Sequence, residues 1–231
     1  MSRETLRSLN RRIVACRECP RLVRWREKVA RERVRRYAGE VYWGRPLPGF
    51  GDPGARVLLV GLAPAAHGGN RTGRMFTGDE SGRWLFRALY RAGFASGAES
   101  LRRDDGLVLT DCYITAALRC APPQNRPLPV EMMRCSSYLR EELRLLPGVR
   151  VVVGLGKIGF ESALKAYRAV GRILLPSMPR FAHGSVCDID GLTFLASYHP
   201  SQQNTFTGRL TEEMLDAVFR MARERLRENP H

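Results

Sequence analysis

Lysine is nearly absent from this chain, and histidine is scarce. Only Lys28, Lys157 and Lys165 occur among 231 residues, and the histidines are His67, His183, His199 and His231. Chemistry that needs an amine nucleophile or an imidazole therefore has few places to sit. No run approaches the ~18 apolar residues of a membrane span, and the arginine-studded start has no signal-peptide core. A cytoplasmic protein without membrane association is expected. In that compartment the six cysteines, at 16, 19, 112, 120, 135 and 187, are not expected to pair as structural disulfides. Internal repeats and low-complexity tracts are also missing, so 1–231 reads as a single domain.

What the chain has in excess is arginine. Lys+Arg number 38 against 23 Asp+Glu, a formal charge of +15 with a pI near 10.4. Such a balance favours a polyanionic partner, although arginine-rich coding alone would also produce it. Nine of the fifteen surplus charges fall within residues 1–36. That segment reads as a helical arm, with helices over 5–15 and 22–37, and continues into an irregular Gly-, Pro- and aromatic-rich connection up to about residue 55.

Beyond the arm, short β-branched runs predict strands at 56–61, 108–117, 149–154 and 192–197. Helical patterns fall between and after them, at 81–92, 130–146, 157–168 and 211–228, while 172–186 reads as a second irregular loop. Alternating strands and helices predict an α/β fold with a central four-stranded parallel sheet flanked by helices on both faces. The loops after Gly61, Ala117, Gly154 and Ser197 then leave the same edge of the sheet, where α/β proteins bind ligands.

Those loops carry the unusual chemistry. Cys16-x-x-Cys19 is a bidentate bite, and Cys120 with Cys135 supplies a second pair, so four thiolates could close a zinc site or a [4Fe-4S] cluster. Spacing does not choose between the metals. Such a site has no vacancy for substrate, and its expected role is to tie down the arm. Cys112 and Cys187 read as unliganded. Gly154-Leu155-Gly156-Lys157-Ile158-Gly159 matches the dinucleotide fingerprint, but residues 170–178 lack the ribose-binding acid and the run follows the third strand rather than the first. A helix N-terminus offering Lys157 to one phosphate, or glycines for close packing, are the two readings left. His199 ends a strand before Pro200, in the company of Gln202, Gln203, Asn204, Thr205 and Phe206. Asp79 reads equally as a pocket acid or a helix N-cap, and Phe76 as a pocket ring or plain core.

Taken together, three runs resemble the uracil-DNA glycosylase superfamily, and more closely its iron–sulfur family 5: Gly61-Leu62-Ala63-Pro64-Ala65, Asn70 to Asp79, and His199 to Gly208. The match covers nearly the whole chain, and the cysteine spacing agrees with it. The resemblance implies a monomeric base-excision repair enzyme with a [4Fe-4S] cluster on Cys16, Cys19, Cys120 and Cys135. It would flip deaminated bases out of double-stranded DNA and hydrolyse the N-glycosidic bond, without lyase activity. Gly61, Leu62, Ala63 and Ala116 would line the base pocket, and Phe76 would stack on the base. His199 would hydrogen-bond the base oxygen that gains charge. Asp79 would position water or stabilise the sugar cation, with Asn125 and Asn204 as secondary candidates. Ser201, Gln202, Gln203, Thr205 and Phe206, with Lys157, would engage DNA.

Two departures from the sister family 4 stand out. Leu62 replaces a glutamate, and Ala116 replaces an asparagine that pairs with uracil. A pocket without that amide is expected to tolerate hypoxanthine, xanthine or etheno-cytosine beside uracil. Two other classes of protein compete with this expectation. One is a non-catalytic nucleic-acid-binding protein with a structural metal, and the other is a nucleotide-dependent enzyme built on Gly154–Gly159.

Overall fold

The computed structural model describes residues 5–228, so the expected domain extends past the described chain at both ends. The described residues build one sheet with helices on both of its faces. In chain order the elements are α1 (Leu6–Ala15), α2 (Pro20–Glu32), β1 (Phe50–Gly51), β2 (Val57–Gly61), α3 (Gly69–Thr72) and α4 (Glu80–Arg91). They continue with β3 (Cys112–Ala116), α5 (Pro129–Leu145), β4 (Val151–Leu155), α6 (Lys157–Ala169), β5 (Val186–Ile189), β6 (Leu192–Ser197), α7 (Gln202–Phe206) and α8 (Glu212–Glu228).

Six strands, not four, form the sheet, in the order β1-β3-β2-β4-β6-β5. β3, β2, β4 and β6 run parallel, and every one of their residues is buried, as runs such as Val57-Leu58-Leu59-Val60 require. The additions are antiparallel edges. β1 pairs Phe50 with Ile114, and β5 folds back on β6 through Asp190 and Gly191. Both of those turn residues have positive φ, 47° and 79°, the backbone a two-residue hairpin turn demands. The sheet is therefore mixed.

Alternation along each inner strand divides the core. Val57, Leu59, Ile114, Val153 and Leu195 meet Phe86 and Leu89 of α4 and Val218 and Phe219 of α8. Leu58, Val60, Val152 and Phe194 meet Leu139 and Leu143 of α5 and Phe160 and Leu164 of α6 on the opposite face. α1 lies on α5, which brings the basic arm against the sheet layer. Arg119 and Glu142 form a fully buried ion pair beneath β3, and the Thr115 hydroxyl donates to the same carboxylate at 2.6 Å.

Three boundaries differ from expectation. α2 starts at Pro20, whose missing N–H costs nothing at a first helical position, and stops at Glu32 because Arg33 takes φ 53°. β3 begins at Cys112 rather than 108, since Asp111 at φ 60° breaks the extended run. Gln202–Phe206 is a short helix. The glycine fingerprint resolves as packing: a Cβ on Gly154 would lie 2.4 Å from the Phe160 Cα, and one on Gly159 would lie 2.3 Å from the Val60 carbonyl oxygen. The glycines let α6 sit directly on β2 and β4.

Candidate active site

The carboxyl ends of β2 and β3 meet at Gly61 and Ala116, which are paired partners in the ladder. Phe76 lies over this point. A Cβ on Gly61 would approach the Phe76 ring to 3.1 Å, so the missing side chain is what admits the aromatic. Phe76 itself has φ 51°, an unfavourable backbone for a bulky residue that is sustained by its surroundings. His199, two residues past β6, places its ring centroid 5.7 Å from that of Phe76 at an interplanar angle of 32°. Burial pushes the His199 pKa down to about 4, so the imidazole is neutral at pH 7.

The loop between β2 and α4 is held by two buried arginines, Arg71 and Arg74, to which the sequence reading assigned no role. Arg71 donates to the His67 carbonyl at 2.8 Å and the Gly78 carbonyl at 2.6 Å, and its guanidinium lies 3.9 Å above the Tyr37 ring. Arg74 forks onto Asp105 at 2.8 and 2.6 Å and reaches the Thr77 hydroxyl at 3.0 Å. A signal was available: a short loop with two arginines and no acid of its own before Asp79.

Asp79 caps a helix and lines a cavity whose wall includes neither Phe76 nor His199. Its Oδ1 accepts the Gly82 N–H at 2.8 Å, capping α4. The carboxyl also lines a cavity of about 410 Å³ together with His67, Asn125 and Gln202. Its Oδ2 packs on Gly68, where a Cβ would sit only 1.8 Å away. Burial raises the Asp79 pKa, opposed by the Gly82 hydrogen bond and the nearby Arg71 charge.

The remaining predicted residues divide. Asn204 donates its side-chain amide to the His199 carbonyl at 2.8 Å, so it braces the histidine turn. Asn125 is exposed, with φ 56°, on the rim of the Asp79 cavity. Leu62 and Ala63 are half-buried. The Leu62 carbonyl accepts from Leu118, and Ala63 packs against the cysteine-bearing cluster, linking the pocket loop to the arm. Ser201 and Thr205 are partly exposed, Gln202 and Gln203 fully, and Phe206 is 75% exposed. Lys157 points into solvent, 3.8 Å from Glu161. A residue not anticipated is His183, whose Nδ1 accepts the Tyr198 N–H at 3.0 Å while the two rings stack at 5.1 Å. It fixes the backbone just before His199.

All four predicted ligand cysteines line one small cavity between the arm and the α5 region, beside Arg26, Arg134 and Tyr138. Among the described residues no three or more His, Cys, Asp or Glu side chains are arranged as a finished metal site. The surroundings nevertheless suit thiolates. Arg26 donates to the Cys120 sulfur at 2.9 Å, and the Arg119 N–H to the Cys135 sulfur at 3.3 Å. Such N–H···S contacts stabilise cluster thiolates. As free thiols these side chains are held up by burial, which raises the Cys19 pKa and pushes Cys120 up to about 11 and Cys135 up to about 12.

Comparison with known proteins gives the family of the chain. The family model of the uracil DNA glycosylase superfamily matches residues 48–223. The chain is 53% identical to a type-5 uracil-DNA glycosylase of Thermus thermophilus, covering 91% of this chain and 94% of the relative. It is 51% identical to one of Pyrobaculum aerophilum, covering 91% and 89%, and 50% identical to one of Mycobacterium bovis, covering 94% and 80%. The chain belongs to the uracil-DNA glycosylase superfamily, in its type-5 branch.

Proposed function

We propose that this chain is a monofunctional uracil-DNA glycosylase of base-excision repair, acting as a monomer on damaged bases in double-stranded DNA. The observation that carries the reading is the pairing of Phe76 with a half-buried, neutral His199 above the Gly61–Ala116 edge. A base inside a duplex is hidden in the stack, so it must be extruded into a pocket to react. Phe76 offers the extruded base a flat face. His199 donates a hydrogen bond to the base oxygen, where negative charge grows as the glycosidic bond breaks. A neutral donor in a water-poor site is strong there and needs no reorganisation.

The sugar left behind is electron-poor. Asp79, ionised, stabilises that cation or orients the attacking water, and Asn125, on the same cavity rim, contributes a second contact to that water. Asn204 acts through His199. Phe206, exposed on α7, enters the space vacated by the base, with Ser201, Gln202, Gln203 and Thr205 along the backbone. Lys157 reaches a flanking phosphate. Its exposure and its Glu161 partner leave no activated amine, so the product is an abasic site with an intact strand.

Cys16, Cys19, Cys120 and Cys135 hold a [4Fe-4S] cluster that fastens the arm to the α5 region. Bound there, the cluster supplies a structural crosslink. Ala116 offers no hydrogen-bonding side chain, which supports a pocket that accepts uracil together with hypoxanthine, xanthine or etheno-cytosine. Alkali-induced cleavage of a uracil-containing duplex after incubation tests the reading. The wild type is expected to give strand breaks, and Asp79→Asn and His199→Ala to give few. Equal cleavage by all three would overturn it.

A further inference from the structure

A second cavity among the described residues lies apart from the proposed excision site. A groove of about 920 Å³ runs between α1 and the segment before β1, and it shares no residue with the cavity that holds Asp79. Seven arginines line it and no acidic residue does. Three are already committed: Arg17 to Glu27, Arg26 to the Cys120 sulfur and Arg74 to Asp105. Arg7, Arg11, Arg45 and Arg103 are exposed and pair with no acidic side chain among the described residues.

The free arginines are not a loose surface fringe. The Arg103 guanidinium lies 4.6 Å, and that of Arg45 5.8 Å, from the Trp43 ring centroid. Trp43 is itself immobilised: its indole N–H donates to the Pro46 carbonyl at 3.2 Å, and Gly73 abuts the ring, where a Cβ would come within 3.0 Å. One indole thus lies within cation–π reach of two of the free cations, and α1 supplies the other two to the same groove.

We propose that this groove is a second nucleic-acid site, which takes a single DNA strand independently of base excision. Four unneutralised guanidiniums fit a run of phosphodiesters. Trp43 and Phe50 add half-buried rings to the wall, faces on which bases can stack. A concave trough walled by a helix and an irregular segment admits one strand, whereas a duplex would need a broad convex-fitting face.

The test uses the full chain and a fluorescein-labelled oligothymidylate of about twelve nucleotides, which offers no uracil, with anisotropy read at fixed salt. The Arg7→Ala/Arg45→Ala/Arg103→Ala variant is expected to lose about tenfold or more in strand affinity. Its single-turnover excision from a short uracil-containing duplex is expected to stay within about twofold. An Arg144→Ala/Arg168→Ala/Arg220→Ala variant, with the same charge change elsewhere, is expected to keep strand affinity. Unaltered binding by the groove variant would overturn the proposal, as would equal loss by both variants. So would a parallel loss of duplex binding, which would make the groove part of the excision face. Displacement of the strand by tripolyphosphate at equal phosphate concentration would also overturn it, since that marks a general anion site. If the triple variant unfolds, Arg45→Gln/Arg103→Gln is expected to lose strand affinity severalfold, and retained affinity there would overturn the proposal. An inactive wild type that still binds the strand would defeat the excision reading alone.

Discussion

The Phe76 and His199 rings stand 5.7 Å apart and 32° from parallel, so one aromatic face and one neutral hydrogen-bond donor address the same small volume. Stacking and charge stabilisation are thereby separable. His199→Ala is expected to lower kcat by about 10²–10³, the range for losing one donor to a developing anion. Phe76→Leu is expected to act mainly on KM, because it weakens the base's contact before and during reaction alike. Steady-state kinetics on a uracil duplex reads both. A His199→Ala effect confined to KM would contradict the assigned role.

Asp79 sets activity against stability. Its carboxyl pKa is raised by burial, so in the folded protein the neutral form is favoured relative to the unfolded chain. Folding stability therefore falls as pH climbs through the raised pKa, and the ionised group burdens the fold above it. Catalysis needs the opposite state, so kcat is expected to decline as pH drops through that same pKa. Asp79→Asn keeps the α4 cap, since asparagine caps as well as aspartate. It should raise or preserve Tm at neutral pH, cut kcat and erase the acid limb of the profile. Thermal melts and a pH–rate series check the three together.

Gly68 gives a second route to the same carboxyl. A methyl group there would fall 1.8 Å from the Asp79 Oδ2, so Gly68→Ala must displace the acid or the loop. Loss of about 10²-fold in kcat is expected, since small misplacements near a reacting centre are costly. Gly39, with nothing within 4 Å of its would-be Cβ, is the control site, and Gly39→Ala is expected to be silent.

The four inner strands were legible because burial on both faces writes itself as uninterrupted apolar β-branched runs, as at 57–60 and 151–153. β1 and β5 were not. β1 has only two residues, and Val186–Ile189 alternates exposed with half-buried positions inside a proline-rich loop, which hides an edge strand. Arg71 and Arg74 were missed for a related reason. Arginine is usually solvated, and only tertiary partners such as Asp105 and the Gly78 carbonyl reveal these two as buried braces. Phe76 and His199 were singled out from their separate loops, but their proximity is a product of crossover topology that local pattern does not encode.

The cysteines offer a discriminating set. Cys16→Ala, Cys19→Ala, Cys120→Ala and Cys135→Ala are each expected to lose the broad visible absorption of an iron–sulfur cluster and to lower Tm by several degrees, because the arm loses its crosslink. Cys187→Ala, on the edge strand β5, is expected to change neither spectrum nor excision. Absorption spectroscopy of anaerobically purified variants decides it. A colourless wild type with one zinc per chain would replace iron–sulfur by zinc while leaving the ligand set intact.

His183 is expected to govern the His199 turn from a distance. Its Nδ1 accepts the Tyr198 N–H, and burial lowers its pKa, so the accepting neutral form prevails at pH 7. His183→Ala leaves that N–H without its acceptor, a penalty of about 1–3 kcal/mol where the group stays dry. It also removes the ring stacked on Tyr198. The His199 imidazole then samples positions away from the base oxygen, so kcat is expected to fall about tenfold while KM holds. In a His183→Ala/His199→Ala double variant the two losses should not add, because the first acts only through the second. Full additivity would show that His183 serves the fold and not the donor.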